Sequence, residues 1–308
     1  AERRSMPPSP GAPAHVRPVK TIGIVAKAHL TNVSPVVREV TEWLAGRHVD
    51  AVIEVETARL ADLVDRRTCS KDDLPKAVDL VLVLGGDGTL LGVANRIASV
   101  DANIPVLAVN CGSLGFLTEI RLPELYGALE SVLGGTAGID ERQVLHARVL
   151  RDARVIADRL VLNDVVVGKS AQSNIIEVSI SVGGQFVTWC RADGLIVASP
   201  TGSTAYNLAA GGPIVHPTVE ALLLTPIAPH TLTNRPIVIA NTAPVTVKPA
   251  LGGSHLEAFA SFDGQFSVEL EDGDVITVER APRPLKVVRA ESRGYFAVLR
   301  EKLKWGER

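Results

Sequence analysis

Residues 80–97 constrain the fold more than any other stretch of this 308-residue chain. Residues 80–84 are five consecutive branched aliphatics without polar alternation, which is typical of a strand buried on both faces of a parallel sheet. The sequence Gly-Gly-Asp-Gly-Thr follows at residues 85–89, and apolar residues then recur with helical spacing up to Ile97. The stretch therefore predicts a buried strand, a tight turn and a helix.

The turn places glycines at the N-terminus of the predicted helix. Backbone N–H groups there lack partners, the helix dipole is positive, and the missing side chains let a phosphate approach closely. Asp87 is the exception, because a carboxylate repels phosphate and needs a cation or a hydroxyl proton as its partner. The combination indicates phosphoryl transfer, and the alternative is an ordinary turn in which Asp87 only caps the helix.

Length and composition favour two domains that bind a small molecule. The 308 residues include 46% hydrophobic residues, and the formal net charge of -2 comes without a basic stripe for nucleic acid or a membrane surface. No stretch approaches the ~20 apolar residues that a membrane span needs. Three widely spaced cysteines indicate neither a disulfide framework nor a zinc site. We therefore expect a cytoplasmic protein without nucleic-acid or membrane partners.

The first half of the chain repeats a strand and helix pattern. Apolar runs at residues 21–26, 51–55 and 104–109 join the opening strand, and repeated units of this kind predict a Rossmann-like α/β domain with a mostly parallel sheet in three layers. We place this domain at residues 20–137. The proline-rich residues 1–19 are expected to form a disordered tail rather than a signal peptide.

In the second half of the chain, the spacing of apolar residues changes. Short apolar runs alternate with turn pairs such as Gly183-Gly184, which predicts a β-rich, β-sandwich-like domain over residues 138–281. Residues 295–303 have helical spacing. We expect the C-terminal segment, residues 282–308, to pack back on the first domain.

Residues 193–213 contain the richest polar motif of the second half. Thr201 and Thr204 offer hydroxyls and Tyr206 offers a flat apolar face after an apolar run, and these groups suit a nucleoside. Local capping of a turn is the alternative role for such hydroxyl residues.

Asn163 and Asp164 interrupt another apolar run. Side chains alternate across a strand, so one of the two should face inward, where an unpartnered polar group costs roughly 1–3 kcal/mol. An amide beside a carboxylate suits a ribose diol, and a turn at the end of a strand is the alternative.

These residues together resemble the NAD kinase family, of the bacterial type. The matching pieces are residues 85–89, 110–117, the Asn163-Asp164 pair and residues 193–213, and the resemblance covers about residues 22–305. The last piece is the specific one, because other kinases share the glycine turn. The resemblance implies an α/β domain followed by a β-rich domain, and assembly into a homodimer or homotetramer.

The resemblance also implies a reaction. A phosphoryl group would pass from ATP, another nucleoside triphosphate or polyphosphate, bound with Mg²⁺, to the 2′-hydroxyl of the adenosine ribose of NAD, giving NADP, with Asp87 as general base. Asp164 departs from the family, which commonly has a longer glutamate there. The implied substrate-binding residues are Gly86, Gly88, Thr89, Asn110, Asn163, Asp164, Asn174, Arg191, Asp193, Thr201, Thr204, Ala205, Tyr206, Asn207, Leu208, Ala209 and Gln265.

Two other functions are compatible with the glycine turn. A lipid kinase of the diacylglycerol or sphingosine type shares it, and a non-catalytic NAD-binding sensor would use the same pocket residues. The chain lacks Gly-x-Gly-x-x-Gly after its first strand and lacks Gly-x-x-x-x-Gly-Lys-Ser/Thr. The first absence argues against a dehydrogenase-type dinucleotide site, and the second excludes a P-loop.

Overall fold

The computed structural model describes residues 18–27, 33–100, 102–170, 175–231, 233–252, 257–290 and 294–305. Most of the predicted disordered tail and the candidate residue Asn174 lie outside these ranges. The elements of the first half are β1 (Thr21–Ala26), α1 (Val33–Ala45), β2 (Asp50–Glu54), α2 (Val55–Ala61), β3 (Thr68–Cys69), α3 (Leu74–Ala77), β4 (Leu80–Gly85), α4 (Asp87–Ser99), β5 (Pro105–Asn110), β6 (Ile120–Arg121), α5 (Leu125–Leu133) and β7 (Ile139–Arg142).

The second half is almost entirely β-structure. Its elements are β8 (Leu145–Arg151), β9 (Arg154–Val161), β10 (Asp164–Lys169), β11 (Ile176–Val182), β12 (Gln185–Ala192), β13 (Gly194–Ala198), α6 (Tyr206–Ala209), β14 (Ala221–Ile227), β15 (Ile237–Ala240), β16 (Val245–Ala250), β17 (Ala258–Phe262), β18 (Phe266–Leu270), β19 (Val275–Arg280), β20 (Leu285–Val288) and α7 (Tyr295–Leu303).

The first domain is built on an eight-stranded sheet. Its strand order is β3-β2-β1-β4-β5-β20-β7, with β6 beside the end of β5, and all neighbours are parallel except β20 and β7. Strand β4 lies in the middle and is wholly buried: Leu82 faces a core shared with α1 and α5, and Val83 faces a core shared with α4. The predicted mostly parallel, three-layer α/β domain is confirmed.

Strands β7 and β20 are neighbours although most of the second half separates them in sequence. Strand β7 follows residue 137, where we placed the domain boundary, and yet belongs to the first sheet because it pairs with β20. Strand β20 in turn pairs with β5, so the segment after residue 282 returns to this sheet.

The second domain consists of two six-stranded antiparallel sheets, ordered β15-β14-β13-β10-β17-β18 and β12-β11-β16-β19-β8-β9. Both contribute to one core, in which Val167 of the first packs with Val178 of the second. The period-two pattern of buried residues along β8 and β11 produces this arrangement. The predicted sandwich-like domain is confirmed.

Helix α4 connects the sheet of the first domain to the second domain. Strands β4 and β5 end side by side at Gly85 and Asn110, and α4 begins directly beyond that edge with Asp87. Further along α4, the side-chain amide of Asn95 donates to the backbone oxygen of Leu160 in β9. In the part of the chain that the structure describes, no helix has the length and apolarity needed to cross a bilayer.

Candidate active site

A loop that follows β5 holds the carboxylate of Asp87. Its Oδ2 accepts a hydrogen bond from the Phe116 N–H at 2.9 Å. Its Oδ1 accepts bonds from the Leu117 N–H at 3.2 Å, the Thr118 N–H at 3.0 Å and the Thr118 hydroxyl at 2.9 Å. Four donors therefore fix the carboxylate at the N-terminus of α4, where the helix dipole also favours negative charge.

Gly115 lets the loop approach Asp87 this closely. A Cβ at this position would stand 1.9 Å from Asp87 Oδ1 and 2.4 Å from Thr118 Oγ1. Both distances are far below van der Waals contact, so any other residue would displace the loop or the carboxylate.

The glycines that flank Asp87 leave the turn open. A Cβ on Gly86 or Gly88 would meet no atom within 4 Å. Gly86 is extended, with φ -114° and ψ -172°, and provides no side-chain cap for α4. The backbone of the turn is thus accessible, which is what an anion needs to reach a helix N-terminus.

Two side chains border the turn. Thr89 folds back towards the end of β4, where a Cβ on Gly85 would stand 2.6 Å from the Thr89 hydroxyl oxygen. Lys27, exposed at the end of β1, lies on the same side, with its Cβ 3.3 Å from that position. The side chain of Lys27 therefore begins beside Gly85.

Asn110 organises the loop that holds Asp87. Its Nδ2 donates to the Ser113 carbonyl oxygen and to Thr118 Oγ1, both at 2.8 Å, and its Oδ1 accepts the Gly112 N–H at 2.7 Å. The residue is buried, with 5% of its surface exposed. Its amide is engaged within the protein, so the structure gives Asn110 a supporting position beside Asp87.

A cavity of about 470 Å³ opens in the second domain, within the range usual for small-molecule sites. Five predicted residues line it: Asn163, Asp164, Asp193, Ala205 and Tyr206. Its remaining lining residues are Val166, Gly168, Lys169, Ser170, Ile227, Phe259, Ser261, Asp263 and Gly264.

Asp263 holds the turn that carries Asn163 and Asp164. Its Oδ2 accepts the Leu162 N–H at 2.8 Å, and its Oδ1 accepts the N–H groups of Asn163 at 2.7 Å and Asp164 at 3.1 Å. In return the Asp263 N–H donates to the Asp164 carbonyl oxygen at 3.0 Å. The pair therefore sits at the start of β10, at a turn rather than within a continuous strand.

The cavity contains a carboxyl group that titrates near neutrality. Burial, and then the neighbouring charge of Asp263, raises the pKa of Asp164 to about 7. Burial also raises the pKa of Asp263, although its three backbone hydrogen bonds act in the opposite direction. Elsewhere in the cavity, Lys169 Nζ lies 3.5 Å from Asp193 Oδ1. At neutral pH Asp164 is thus available both as a donor and as an acceptor.

The predicted motif after β13 forms a 3₁₀ turn, Thr201–Thr204, followed by α6. Thr201 is buried, and its Oγ1 has no hydrogen-bond partner among the described residues. The Thr204 hydroxyl donates to the Thr201 carbonyl oxygen at 3.4 Å. The orphan hydroxyl of Thr201 is therefore a group that a ligand or a water could satisfy.

Asn207 supports this motif from inside. It is fully buried, its Nδ2 donates to the carbonyl oxygens of Ser203 at 3.1 Å and Pro213 at 3.0 Å, and its Oδ1 accepts the Thr225 hydroxyl at 2.6 Å. We predicted a substrate contact here, but the amide is already engaged within the protein. The side chain fixes the loop shape rather than facing the cavity.

Gln265 lies next to the cavity in sequence and approaches the middle of α4. Gly264 lines the cavity, and the next residue, Gln265, points its Oε1 at α4, 3.8 Å from where a Cβ on Gly92 would stand. The cavity therefore adjoins the helix that begins with Asp87, although the two were predicted from motifs in different domains.

The other predicted residues lie outside the cavity lining. Arg191 Nε is 3.9 Å from Glu177 Oε2 on the neighbouring strand, and its side chain is exposed. Leu208 and Ala209 lie in α6 without lining the cavity. Asn174 lies outside the described residues.

Sequence reasoning missed the tasks of Thr118 and Asp263. Thr118 comes directly after the matching stretch 110–117 and has no local pattern of its own. Asp263 begins an Asp-Gly pair, which is a common turn signal, and it adopts a left-handed φ of 51°. Its position two residues before a predicted site residue, Gln265, was the available hint.

Among the described residues, no group of three or more histidine, cysteine, aspartate or glutamate side chains is arranged to hold a metal ion. These residues therefore do not fit a cation held by protein ligands alone. Mg²⁺ that is bound to a phosphate donor needs only one or two carboxylates besides the phosphates.

Comparison with known families identifies both halves of the chain. The model described as "ATP-NAD kinase N-terminal domain" matches residues 22–137. The model described as "ATP-NAD kinase C-terminal domain" matches residues 162–290. Between them the two matches contain Asp87 and every residue named as lining the cavity.

Similar proteins and structures carry related names. The chain is 45% identical to the NAD kinase of Geotalea daltonii and 46% identical to that of Geobacter sulfurreducens, each over 290 residues that cover 94% of this chain and 100% of the relative. The structure of yeast NADH kinase complexed with NADH matches with a TM-score of 0.86 at 26% identity, covering 95% of this chain and 89% of that one. An NAD kinase from Archaeoglobus fulgidus in complex with ATP matches with a TM-score of 0.73, also at 26% identity, covering 92% and 98%.

Proposed function

The chain belongs to the NAD kinase family, and from that premise we propose that it transfers the terminal phosphoryl group of ATP to the 2′-hydroxyl of the adenosine ribose of NAD, giving NADP. The named relatives and structures make it an enzyme of the kinase class. The choice of ATP, the role of Asp87 and the placement of the substrates are the parts that we propose.

The arrangement around Asp87 carries the proposal. A carboxylate has about four lone-pair sites, and here Oδ1 accepts three hydrogen bonds whereas Oδ2 accepts one. Oδ2 therefore retains the capacity to accept a proton. Its residue lies between Gly86 and Gly88, whose backbone is open. A base and an anion-binding helix terminus lie next to each other, as phosphoryl transfer to a hydroxyl requires.

The reaction then follows from this geometry. The ribose 2′-oxygen forms a bond to the terminal phosphorus of ATP, and the bond between that phosphorus and the bridging oxygen breaks, with ADP leaving with the electron pair. Asp87 Oδ2 takes the hydroxyl proton as negative charge leaves the attacking oxygen. The N–H groups at the start of α4 and the cation of Lys27 stabilise charge on the phosphoryl oxygens.

The cavity of the second domain holds a nucleoside part of NAD in this proposal. The exposed Tyr206 ring offers a stacking face, and Asn163 and Asp164 offer an amide and a carboxyl for ribose hydroxyls. Because Gln265 follows the cavity-lining Gly264 and approaches Gly92, five residues beyond Asp87 in α4, we infer that a dinucleotide seated in the cavity extends towards α4 and presents one ribose to Asp87.

Three further expectations belong to the same proposal. Mg²⁺ arrives bound to the donor phosphates and, when bound, neutralises their charge. The three cysteines are all free, which suits the reducing cytoplasm. The family resemblance implies a homodimer or homotetramer.

A matrix of donors and acceptors tests the function. Purified protein is incubated with ATP, another nucleoside triphosphate or polyphosphate, each with NAD, NADH or a diacylglycerol, and the phosphorylated product is quantified. We expect NADP from ATP and NAD. Phosphorylated lipid in place of NADP would indicate the lipid kinase alternative, and NAD binding without any NADP would indicate a sensor.

A variant pair tests the role of Asp87. We expect Asp87→Asn to fold and to lower kcat by about 100-fold or more, since a positioned base contributes on that order. Asp79→Asn is the matched control, because Asp79 also accepts two backbone N–H bonds in the first domain but lies at the other end of the sheet, beside the start of β1. Near-normal turnover by Asp87→Asn would refute the assignment.

A further inference from the structure

We propose that Thr118 is a positioning residue for the transfer step, and that its hydroxyl, oriented by Asn110, keeps Asp87 turned so that Oδ2 faces the acceptor. This inference rests on the proposed role of Asp87 as the base. It assigns a task to a side chain outside both the cavity lining and the implied substrate-binding set.

A short chain of hydrogen bonds links the three residues. Asn110 Nδ2 lies 2.8 Å from Thr118 Oγ1, and Thr118 Oγ1 lies 2.9 Å from Asp87 Oδ1. The residues come from three different places, the end of β5, the loop before β6 and the start of α4. The fold therefore brings them together across two strand ends.

The residues at the two ends of this series of hydrogen bonds, Asn110 and Asp87, determine which group donates in each bond. Asn110 presents Nδ2 to Thr118 because its Oδ1 is occupied by the Gly112 N–H and its Nδ2 also donates to the Ser113 carbonyl oxygen. The Thr118 hydroxyl must accept from this amide, so its single proton is directed to Asp87 Oδ1. A carboxylate has no proton to donate in return, and the orientation is unambiguous.

Burial makes the hydroxyl hard to replace. Thr118 has none of its surface exposed, and Asn110 has 5% exposed. Gly115 closes over the same point, since a Cβ there would stand 2.4 Å from Thr118 Oγ1. Water therefore has no room to supply the missing donor if the hydroxyl is removed.

The consequence concerns how the two oxygens of Asp87 differ. The hydroxyl is the third donor on Oδ1, and only the Phe116 N–H reaches Oδ2. Without the hydroxyl, two backbone N–H groups remain on Oδ1 and one on Oδ2, so the two oxygens become more alike and the carboxylate is held less firmly about its side-chain torsion. Since misplacement of a reacting group by about 1 Å can cost about 100-fold in rate, the chemical step should suffer while the distant cavity does not.

Thr118→Val and Thr118→Ser form the test, with wild type beside them. Valine matches the shape of threonine without the hydroxyl, and serine keeps the hydroxyl without the methyl group. For each protein, kcat, the KM for NAD, the KM for ATP and the urea midpoint of unfolding are measured. We expect Thr118→Val to lower kcat by about 10- to 100-fold with both KM values within about twofold, and Thr118→Ser to recover most of the loss.

A second variant covers the case in which Thr118→Val does not fold. Asn110→Asp replaces the amide donor by an acceptor, which draws the Thr118 proton away from Asp87, and we expect the same loss of kcat at unchanged KM. A raised KM for NAD would instead make Asn110 a substrate ligand and would refute the proposal that Asn110 acts through Thr118 on Asp87.

The outcomes separate this inference from the proposed function. An inactive wild type refutes the kinase assignment. An active wild type, with Thr118→Val within about twofold of it in kcat or with Thr118→Ser no better than Thr118→Val, refutes the positioning role alone.

Discussion

The carboxyl of Asp164 makes the stability of the protein depend on pH in a calculable way. Its pKa lies at about 7 in the folded protein against 3.8 for an ordinary aspartate, because it is buried beside Asp263. Folding therefore takes up a proton between about pH 4 and pH 7. The stabilisation from this proton is complete below about pH 4 and is lost as the pH rises through about 7.

The magnitude follows from the size of the shift. A rise from 3.8 to about 7 is close to three pKa units, or about 4 kcal/mol at 1.36 kcal/mol per unit. Asp164→Asn stays neutral at every pH and removes this dependence. We therefore expect the variant to match wild type near pH 4 and to exceed its free energy of unfolding by up to about 4 kcal/mol above pH 7.

Urea unfolding at several pH values provides the measurement. The quantity of interest is the difference between Asp164→Asn and wild type, since carboxylates other than the coupled Asp263 titrate equally in both. Asp65→Asn, on the exposed surface, controls for the loss of one negative charge. Parallel curves of unfolding free energy against pH for wild type and Asp164→Asn would refute the reasoning that burial holds a proton on this carboxyl.

Three further predictions concern the site, and a fourth concerns the assembly. Gly115→Ala should lower kcat at least as much as loss of the Thr118 hydroxyl, because the new Cβ would stand 1.9 Å from Asp87 Oδ1. Activity equal to wild type would show that the loop can move away without disturbing Asp87. Asn207→Ala should lower the free energy of unfolding by about 3 kcal/mol, since three buried partners lose their hydrogen bonds, and urea unfolding checks it. Lys27→Met should raise the KM for ATP by about tenfold and leave the KM for NAD unchanged, as steady-state kinetics will show. Light scattering after gel filtration should give a dimer or tetramer, and a monomer would contradict the family expectation.

Local pattern was sufficient wherever one stretch determines its own structure. The apolar run before residue 85 became the central buried strand β4, and the glycine turn became the N-terminus of α4. The hairpin at Gly183-Gly184 also forms as predicted, between β11 and β12. In each case the periodicity and the turn residues lie within about 15 residues of one another, so the sequence contains the whole signal.

The supporting contacts could not be predicted in this way. Asp263 binds backbone N–H groups that lie 99 to 101 residues away, and Asp87 binds N–H groups 29 to 31 residues away. Every residue except proline offers the same N–H, so a carboxylate that binds backbone leaves no matching residue type for sequence reasoning to find. Strand β7 was not predicted either, because a four-residue edge strand with the sequence Ile-Asp-Glu-Arg shows no alternation of apolar and polar residues.

The pairing of β7 with β20 has a consequence for how the chain acquires its structure during synthesis. Arg142 lies opposite Leu285, so the strands that lead into and out of the second domain are hydrogen-bonded to each other. Until residue 288 has emerged from the ribosome, the edge of β5 that β20 will cover has no partner there. Exposed strand edges promote association with other chains, so a fragment ending at residue 137 should aggregate more readily than the full chain. The sheet whose edge adjoins α4 and Asp87 is completed only after the second domain has been made.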